Sequence, residues 1–135
     1  MGIFSRLRDI VNSNLNAMLE KAEDPEKMIK LMIMEMEDTL VEVKASAAGV
    51  MADAKNTRRA LEACRERADG WAVKAKLAMD KEREDLAREA LMEKRRFAKQ
   101  AEGLEGELED LETLISQYHE DLAALEAKLA EAQEK

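Results

Sequence analysis

Large and rigid side chains are scarce in this sequence. Aromatic residues make up 3% of the 135 residues, and proline and cysteine occur once each. With so few large side chains, the chain cannot fill the thick core of an ordinary globular domain. The lone thiol of Cys64 excludes an intramolecular disulfide framework and indicates a reducing compartment.

Targeting and membrane-spanning segments are missing from the sequence as well. No run of about 18 apolar residues occurs, which is the length that a membrane-spanning helix needs. The first residues lack the apolar stretch and the small-residue cleavage site of a secretory signal. We therefore expect the chain to remain in the cytoplasm.

Motifs that carry out chemistry are also absent. There is no glycine-rich phosphate loop, no nucleophile elbow and no zinc-type spacing of cysteine and histidine. Di-iron bundles need Glu-x-x-His on facing helices, but the only histidine, His119, has Ser116 three positions before it. The sequence thus predicts a protein that is not an enzyme, with no catalytic residues, cofactor or metal site.

What the sequence does contain is charge and a seven-residue period. Charged residues make up 39% of the chain, and apolar residues recur at alternating spacings of four and three, as in a coiled coil. In the first arm these seam positions are Ile29, Ile33, Met36, Leu40, Val43, Ala47, Val50, Ala54, Thr57, Leu61, Cys64, Ala68, Trp71, Ala75 and Ala78. In the second arm they are Ala87, Ala90, Lys94, Phe97, Ala101, Leu104, Leu108, Leu111, Ile115, Tyr118, Leu122, Leu125, Leu129 and Ala132.

The period is interrupted between residues 79 and 87. Continuing the first register would place Glu82, Asp85 and Glu89 on the apolar seam. The two arms have about equal lengths, and each seam must be covered by another helix. We therefore predict an all-α fold, a long antiparallel helical hairpin (coiled coil) over residues 23–135 with its turn near residues 80–86. The residues assigned to the hairpin tip are Glu82, Arg83, Glu84 and Asp85.

Residues 1–22 are predicted to be a separate, short amphipathic helix. Their apolar side chains share one face of a helix with 3.6 residues per turn, and polar side chains lie opposite. Basic residues beside bulky apolar ones are typical of a helix that lies in the interface of an anionic phospholipid membrane. The alternative is a helix that packs on the hairpin. The predicted membrane-binding residues are Ile3, Phe4, Arg6, Leu7, Arg8, Ile10, Val11, Leu15 and Met18.

A helix boundary follows this segment. Asp24 suits an N-cap and Pro25 suits the first helical position, so these two residues are assigned as a hinge. Just beyond it, residues 28–36 are more apolar than a seam requires. The sequence predicts either a second surface for lipid or a partner, or extra packing between helices. The residues of this second surface are Met28, Leu31, Met32 and Met34.

Charge is distributed unevenly along the chain. The net charge is +1 over residues 1–22, −5 over 23–54, +5 over 55–99 and −9 over 100–135. In a hairpin, the half near the turn is then basic and the open end acidic, which favours charge-assisted self-association; pairs between the arms are the alternative. No aromatic residues accompany the basic clusters and the total charge is −8, so no direct binding of nucleic acid is expected.

Four stretches of the sequence together resemble one protein family. They are Met-Gly-Ile-Phe-Ser-Arg at 1–6, Lys-Ala-Glu-Asp-Pro at 21–25, Leu-Met-Ile with Glu-Met-Glu-Asp-Thr-Leu-Val-Glu-Val at 31–43, and Arg-Glu-Asp-Leu-Ala-Arg-Glu-Ala-Leu at 83–91. The whole chain is similar to the bacterial and plastid family of phage shock protein A and the vesicle-inducing protein in plastids, relatives of eukaryotic ESCRT-III. It resembles the bacterial phage shock branch more closely.

The resemblance implies an envelope stress protein with two linked activities. One is binding and inhibition of an AAA+ enhancer-binding transcriptional activator, and the other is peripheral binding to the cytoplasmic face of the inner membrane. We expect lipid and the ATPase to compete. Family members continue for several further helices that take part in polymerisation, so the resemblance also implies an N-terminal fragment. A purely structural coiled-coil element for oligomerisation, without membrane binding, is the alternative.

Overall fold

A computed structural model describes residues 2–134 of the chain. The described residues form α1 (Ile3–Asn12), α2 (Leu15–Lys21), α3 (Pro25–Asp80) and α4 (Glu84–Glu134), and no strand occurs among them. The predicted fold class is confirmed, because α3 pairs with α4 as a hairpin that follows a short N-terminal helix. The predicted limits at residues 1 and 135 lie outside the described residues.

The segment up to residue 22 is two helices rather than the single amphipathic helix that was predicted. α1 ends where the Ser13 hydroxyl donates a 2.6 Å hydrogen bond to the carbonyl oxygen of Ile10. α2 then begins with Asn14 as its N-cap, whose side chain accepts a 3.1 Å hydrogen bond from the amide of Ala17. The side chains of serine and asparagine readily form hydrogen bonds to neighbouring backbone groups. Because the two residues are adjacent here, they interrupt the helix.

α3 begins at the predicted hinge. Pro25 is its first residue, and the Asp24 side chain accepts a 3.2 Å hydrogen bond from the amide of Lys27. A capping side chain satisfies one of the amides that the first helical turn leaves without a partner. The cap and the proline together explain why a new helix starts here.

The turn between α3 and α4 consists of residues 81–83 and closes with a Schellman motif. The amide of Arg83 donates to the carbonyl of Ala78 over 2.8 Å, and that of Glu82 donates to the carbonyl of Met79 over 3.0 Å. These two bonds satisfy carbonyl groups at the end of α3. Glu82 has a φ of 58°, the left-handed conformation in which this motif usually places glycine.

The chain divides into two compact units. The terminal unit runs up to Val50 and resumes at Leu114, and the turn unit comprises Met51–Thr113. Every predicted seam position is buried or half-buried except Lys94, which is exposed. A charged seam residue can extend its aliphatic stem and keep its ammonium group in water.

The terminal unit holds the main hydrophobic cluster. α1 and α2 contribute one fully buried leucine each, and both lie against α3 and α4. The buried members of the cluster are Leu7, Leu15, Met36, Val43, Ala47, Tyr118, Leu125 and Ala132.

The turn unit has a thinner seam, because small residues dominate its buried positions. Its buried apolar residues are Ala54, Leu61, Ala68, Ala75, Ala87, Ala90, Phe97 and Ala101. Alanine lets two helices approach closely but buries little apolar area. Ion pairs also join the arms within this unit, Arg58 with Glu112 at 3.4 Å and Arg65 with Glu105. Such exposed pairs add about 1 kcal/mol or less each.

Candidate membrane and partner surfaces

The apolar face of α1 lies against the hairpin in the terminal unit. Leu7 is 1% exposed, and Ile3, Ile10 and Val11 are partly buried against the same hydrophobic cluster. In α2, Leu15 is also 1% exposed. Five predicted membrane-binding residues therefore belong to the hydrophobic cluster or pack against it in this conformation. It is the packing arrangement that the sequence left open as the alternative.

Contacts with both arms of the hairpin fix the position of α1. The ring of Phe4 packs on that of Tyr118, with centroids 5.1 Å apart and planes tilted by 36°. The guanidinium of Arg6 pairs with the carboxylate of Glu42 in α3. At the end of α1, the ammonium of Lys128 in α4 donates a 2.5 Å hydrogen bond to the carbonyl of Ser13. α1 thus occupies the groove between α3 and α4.

The seating of α1 is incomplete. Phe4 remains 37% exposed and Met18 38% exposed, and Arg8 is exposed. A cleft of about 210 Å³ remains beside α1, between residues such as Ile10 and Met36. Apolar atoms that border an unfilled cleft lack neighbours on one side and therefore lose dispersion contacts. The docked face is therefore held mainly by Leu7 and the contacts around it.

Sequence reasoning missed the residues of the hairpin that receive α1. Tyr118 was placed on the seam, but nothing in the period indicated its contact with Phe4. Thr39 lies off the seam and is nevertheless fully buried, and its hydroxyl has no hydrogen-bond partner. It lies three residues after Met36, which lines the cleft beside α1, and three residues before Glu42, which pairs with Arg6. One carboxylate oxygen of Asp121, near Leu7, is also buried without a partner.

The predicted second surface separates into two pairs. Leu31 and Met34 are 56% and 59% exposed. Met28 is half-buried, and Met32 packs against the hydrophobic cluster. Val41, which the sequence analysis did not select, is 68% exposed. Leu31, Met34 and Val41 all lie on the solvent side of α3, and we call them the outer ridge.

Two of the predicted tip residues, Glu82 and Arg83, lie in the turn, and the other two, Glu84 and Asp85, begin α4. All four are exposed. The Arg83 guanidinium donates from both Nε and a terminal nitrogen to Asp85, over 3.3 Å each. This pairing lowers the pKa of Asp85, chiefly through the side-chain hydrogen bond and further through the backbone amide of Leu86. The same hydrogen bond and the charge of Asp85 raise the pKa of Arg83. A charged pair thus links the last residue of the turn to the first turn of α4.

Two kinds of site are missing from the described residues. None of their helices is both long enough and apolar enough to cross a bilayer. Among residues 2–134, no group of three or more His, Cys, Asp or Glu side chains is placed to hold a metal ion.

Named proteins resemble this chain along its length. The membrane-associated protein Vipp1 of Synechocystis is 38% identical over 135 residues, which are 100% of this chain and 51% of that protein. The phage shock protein A homolog of Deinococcus radiodurans is 33% identical over 135 residues, 100% of this chain and 60% of that protein. Protein LiaH of Bacillus subtilis is 27% identical over 133 residues, 98% and 59% of the two chains. The chain spans about half the length of the Vipp1 proteins it matches.

These identities do not favour the phage shock branch over the Vipp1 branch. The Vipp1 of Synechocystis has the higher identity over the full chain, whereas the phage shock protein A homolog of Bacillus subtilis reaches 40% over only 78 residues. The family itself is unambiguous, because residues 2–135 match the PspA/IM30 family. This chain belongs to the PspA/IM30 family.

Proposed function

We propose that this protein binds anionic membranes peripherally through α1, which exchanges between the hairpin groove and the lipid surface. The observation that supports the proposal is the seating of α1, an amphipathic helix of 10 residues that has one fully buried side chain, Leu7. The break at residues 13–14 separates it from α2. The naming of relatives as membrane-associated proteins agrees with this function.

The hairpin and the membrane compete for the same face of α1. Burial of Leu7 in the docked state contributes roughly 1.5–3 kcal/mol, and the partly buried residues contribute less. A membrane would bury Ile3 and Phe4 as well, and anionic lipid adds about 1 kcal/mol for each nearby arginine. Both states therefore stabilise α1, and lipid shifts the population towards the released state.

Two substitutions with opposite expected effects test this competition. Phe4→Ser removes a membrane contact and also the docked contact with Tyr118. Because Phe4 is 37% exposed when docked, the membrane contact is the larger loss, and flotation with phosphatidylglycerol vesicles should weaken by up to about tenfold, the loss that ~1.5 kcal/mol of apolar burial gives. Tyr118→Ala leaves α1 unchanged but weakens its docking, so flotation should improve. Met51→Ser alters an exposed apolar residue of the turn unit and serves as the control.

The same two substitutions also test the alternative function. If Tyr118→Ala and Phe4→Ser leave flotation unchanged, α1 is a permanent part of the terminal unit. The protein would then be the structural coiled-coil element that the sequence left open. Circular dichroism of each variant without lipid verifies that the hairpin is intact, so a loss of folding is not mistaken for a loss of lipid binding.

A second proposed function is inhibition of an AAA+ enhancer-binding transcriptional activator at the cytoplasmic face of the inner membrane. Its support is the similarity to phage shock protein A homologs, which the chain shares with its similarity to Vipp1, together with the outer ridge, since exposed apolar side chains at helical spacing suit a protein interface. Met34→Glu is expected to weaken inhibition of the ATPase at least tenfold, and Met51→Glu is expected to leave it unchanged. Anionic vesicles should relieve inhibition if lipid and ATPase compete.

Charge-assisted self-association is proposed as the third element of the function. The basic stretch 55–99 and the acidic stretch 100–135 would attract each other between molecules, and salt weakens such attraction between exposed charges. Light scattering across a salt series should show smaller particles as the salt concentration rises. A particle size that does not depend on salt would exclude assembly by charge.

A further inference from the structure

The outward side of α4 beyond the turn combines exposed apolar side chains with cations. Leu91 and Met92 are 47% and 68% exposed. Arg95 follows them by four and three positions, and Lys99 follows Arg95 by four. Residues at these intervals are neighbours on a helix surface. The four side chains therefore form one patch, which we call the basic face.

Arg95 is the central cation of the basic face, and no carboxylate lies beside it along the helix. Its neighbours at three and four positions in both directions are Leu91, Met92, Ala98 and Lys99. Among the described residues, neither Arg95 nor Lys99 takes part in an ion pair. The nearest carboxylates only border the face, with Glu89 three positions before Met92 and Glu102 three after Lys99. The charge of Arg95 is thus available to an external partner.

The outer ridge in the terminal unit has the same mixture with the opposite charge. Its side chains, Leu31, Met34 and Val41, are all more than half exposed. The exposed residues Glu37 and Asp38 lie three or four positions from both Met34 and Val41. Neither acidic residue has a basic one at those intervals, and no ion pair within residues 2–134 includes either.

We propose that the basic face of one molecule docks against the outer ridge of a second copy of the chain. Glu37 follows Met34 by three positions, and Arg95 follows Met92 by the same interval. Two parallel helices can therefore bring the methionines together and, about 4.5 Å further along the axis, the opposite charges together. The inference rests on the self-association proposed above and assigns its two surfaces. Since the outer ridge is also the proposed ATPase contact, the two partners would exclude each other.

Charge and apolar surface together favour the outer ridge over the acidic arm as the partner. Residues 100–135 carry a larger negative charge, −9, but in the described part of α4 no large hydrophobic residue beyond Met92 is exposed. That arm would attract Arg95 and leave Leu91 and Met92 in water. The outer ridge offers both an apolar partner and carboxylates.

The same reasoning excludes two simpler arrangements. Two basic faces repel each other, and so do two outer ridges with their carboxylates, so the contact joins two different surfaces and each molecule offers both. An anionic lipid surface would match Arg95 and Lys99, but it would not explain an apolar ridge beside Glu37 and Asp38. A second copy accounts for both patches.

Exchange of charge between two variants tests the contact. Arg95→Glu places an anion in the basic face, and Glu37→Lys places a cation beside the outer ridge. In sedimentation experiments at low ionic strength without lipid, each variant alone should associate roughly fivefold more weakly than the parent chain. An equimolar mixture should restore the association, because the altered face of one chain then matches the altered ridge of the other.

Matched controls separate this contact from the effect of total charge. Arg59→Glu and Asp53→Lys make the same charge changes at exposed residues outside both patches and should leave association unchanged. Leu91→Ser should weaken it by about threefold, whereas Val73→Ser, at a residue that is 68% exposed, should not. Circular dichroism verifies that each variant keeps its helix content.

Three outcomes would overturn the inference. If Arg59→Glu weakens association as much as Arg95→Glu does, total charge drives assembly, and the proposed self-association stands without these surfaces. If the mixture of variants associates no better than either alone, the basic face and the outer ridge do not meet. If the parent chain stays monomeric and Arg95→Glu instead lowers flotation with phosphatidylglycerol vesicles, the basic face belongs to lipid, and the proposed self-association fails as well.

Discussion

The terminal unit and the turn unit use the same seven-residue period with different side chains. In the terminal unit the buried positions include Met36, Val43, Tyr118 and Leu125, whereas in the turn unit six of the eight buried apolar residues are alanine. Large side chains keep two helices farther apart and leave apolar surface beside the seam. α1 covers that surface in the terminal unit.

Alanine has the opposite effect in the turn unit. It allows α3 and α4 to pack closely on each other, but it supplies little buried area. Larger apolar side chains such as Leu77 and Leu86 then lie beside the seam and remain exposed. One repeat can therefore specify a hairpin, while the size of its seam residues decides whether the chain itself fills the groove beside the seam.

Truncating one buried leucine in each unit gives the strongest test of this comparison. Leu125 is 0% exposed and Leu61 is 3% exposed. We expect Leu125→Ala to lower the free energy of unfolding by about 4 kcal/mol and Leu61→Ala by about 2 kcal/mol. The three-helix surroundings of Leu125 keep a cavity open, whereas a two-helix seam can collapse. Urea unfolding followed at 222 nm measures both, and equal losses would contradict the comparison.

A smaller effect, with a gain of stability, is expected at Thr39 in the terminal unit. Its hydroxyl is buried without a partner, and an unsatisfied buried polar group costs about 1–3 kcal/mol. Thr39→Val keeps the shape and removes that group, so we expect the free energy of unfolding to rise by about 1 kcal/mol. Thr57→Val, at a half-buried seam position of the turn unit, is the control. A loss of stability at Thr39 would show that its hydroxyl has a partner.

In the turn unit, Glu82→Gly tests the left-handed residue of the Schellman motif. The φ of 58° costs an L-residue roughly 1–2 kcal/mol, and the greater freedom of glycine in the unfolded chain offsets about 0.5–1 kcal/mol of the relief. We expect the free energy of unfolding to rise by about 0.5 kcal/mol, as measured in thermal unfolding experiments. Lys81→Gly adds the entropy cost of glycine without relieving a left-handed residue, so it should lower the free energy of unfolding. If both substitutions raised the free energy of unfolding, the explanation would be wrong.

The hairpin and its seam could be predicted because the period alone identifies the buried positions. Val43 and Leu125 follow it and are fully buried, and the acidic residues Glu82 and Asp85 mark where it stops. The left-handed conformation of Glu82 left no trace in the sequence, because glycine is absent there.

The site was less predictable for a physical reason. An amphipathic helix presents the same apolar face to a lipid surface and to a groove of the protein, so Phe4 and Leu7 fit both environments equally well. A seven-residue period likewise predicts the residues that face one partner helix, but not those that face a second one. Thr39 was therefore missed, because it lies off the seam and is nevertheless fully buried.

The smallest predicted effect is a pH dependence at the start of α4. Arg83 and the amide of Leu86 lower the pKa of Asp85 below its usual value of 3.8. A lowered folded-state pKa means that the carboxylate stabilises the fold above the usual value, and that this contribution is lost as the pH falls through the folded-state pKa. Asp85→Asn should therefore show a weaker drop in melting temperature than the parent chain below about pH 4.

Salt and a neighbouring carboxylate provide the controls for this experiment. The pair is exposed, so 1 M salt should shrink the difference between Asp85→Asn and the parent chain. Glu84→Gln removes a carboxylate from the same helical turn without removing the partner of Arg83. If it changes the acid dependence as much as Asp85→Asn does, the general attraction of acidic residues to the start of a helix explains the effect. The start of α4 would then be stabilised by that attraction, as Asp24 and Glu26 stabilise the start of α3.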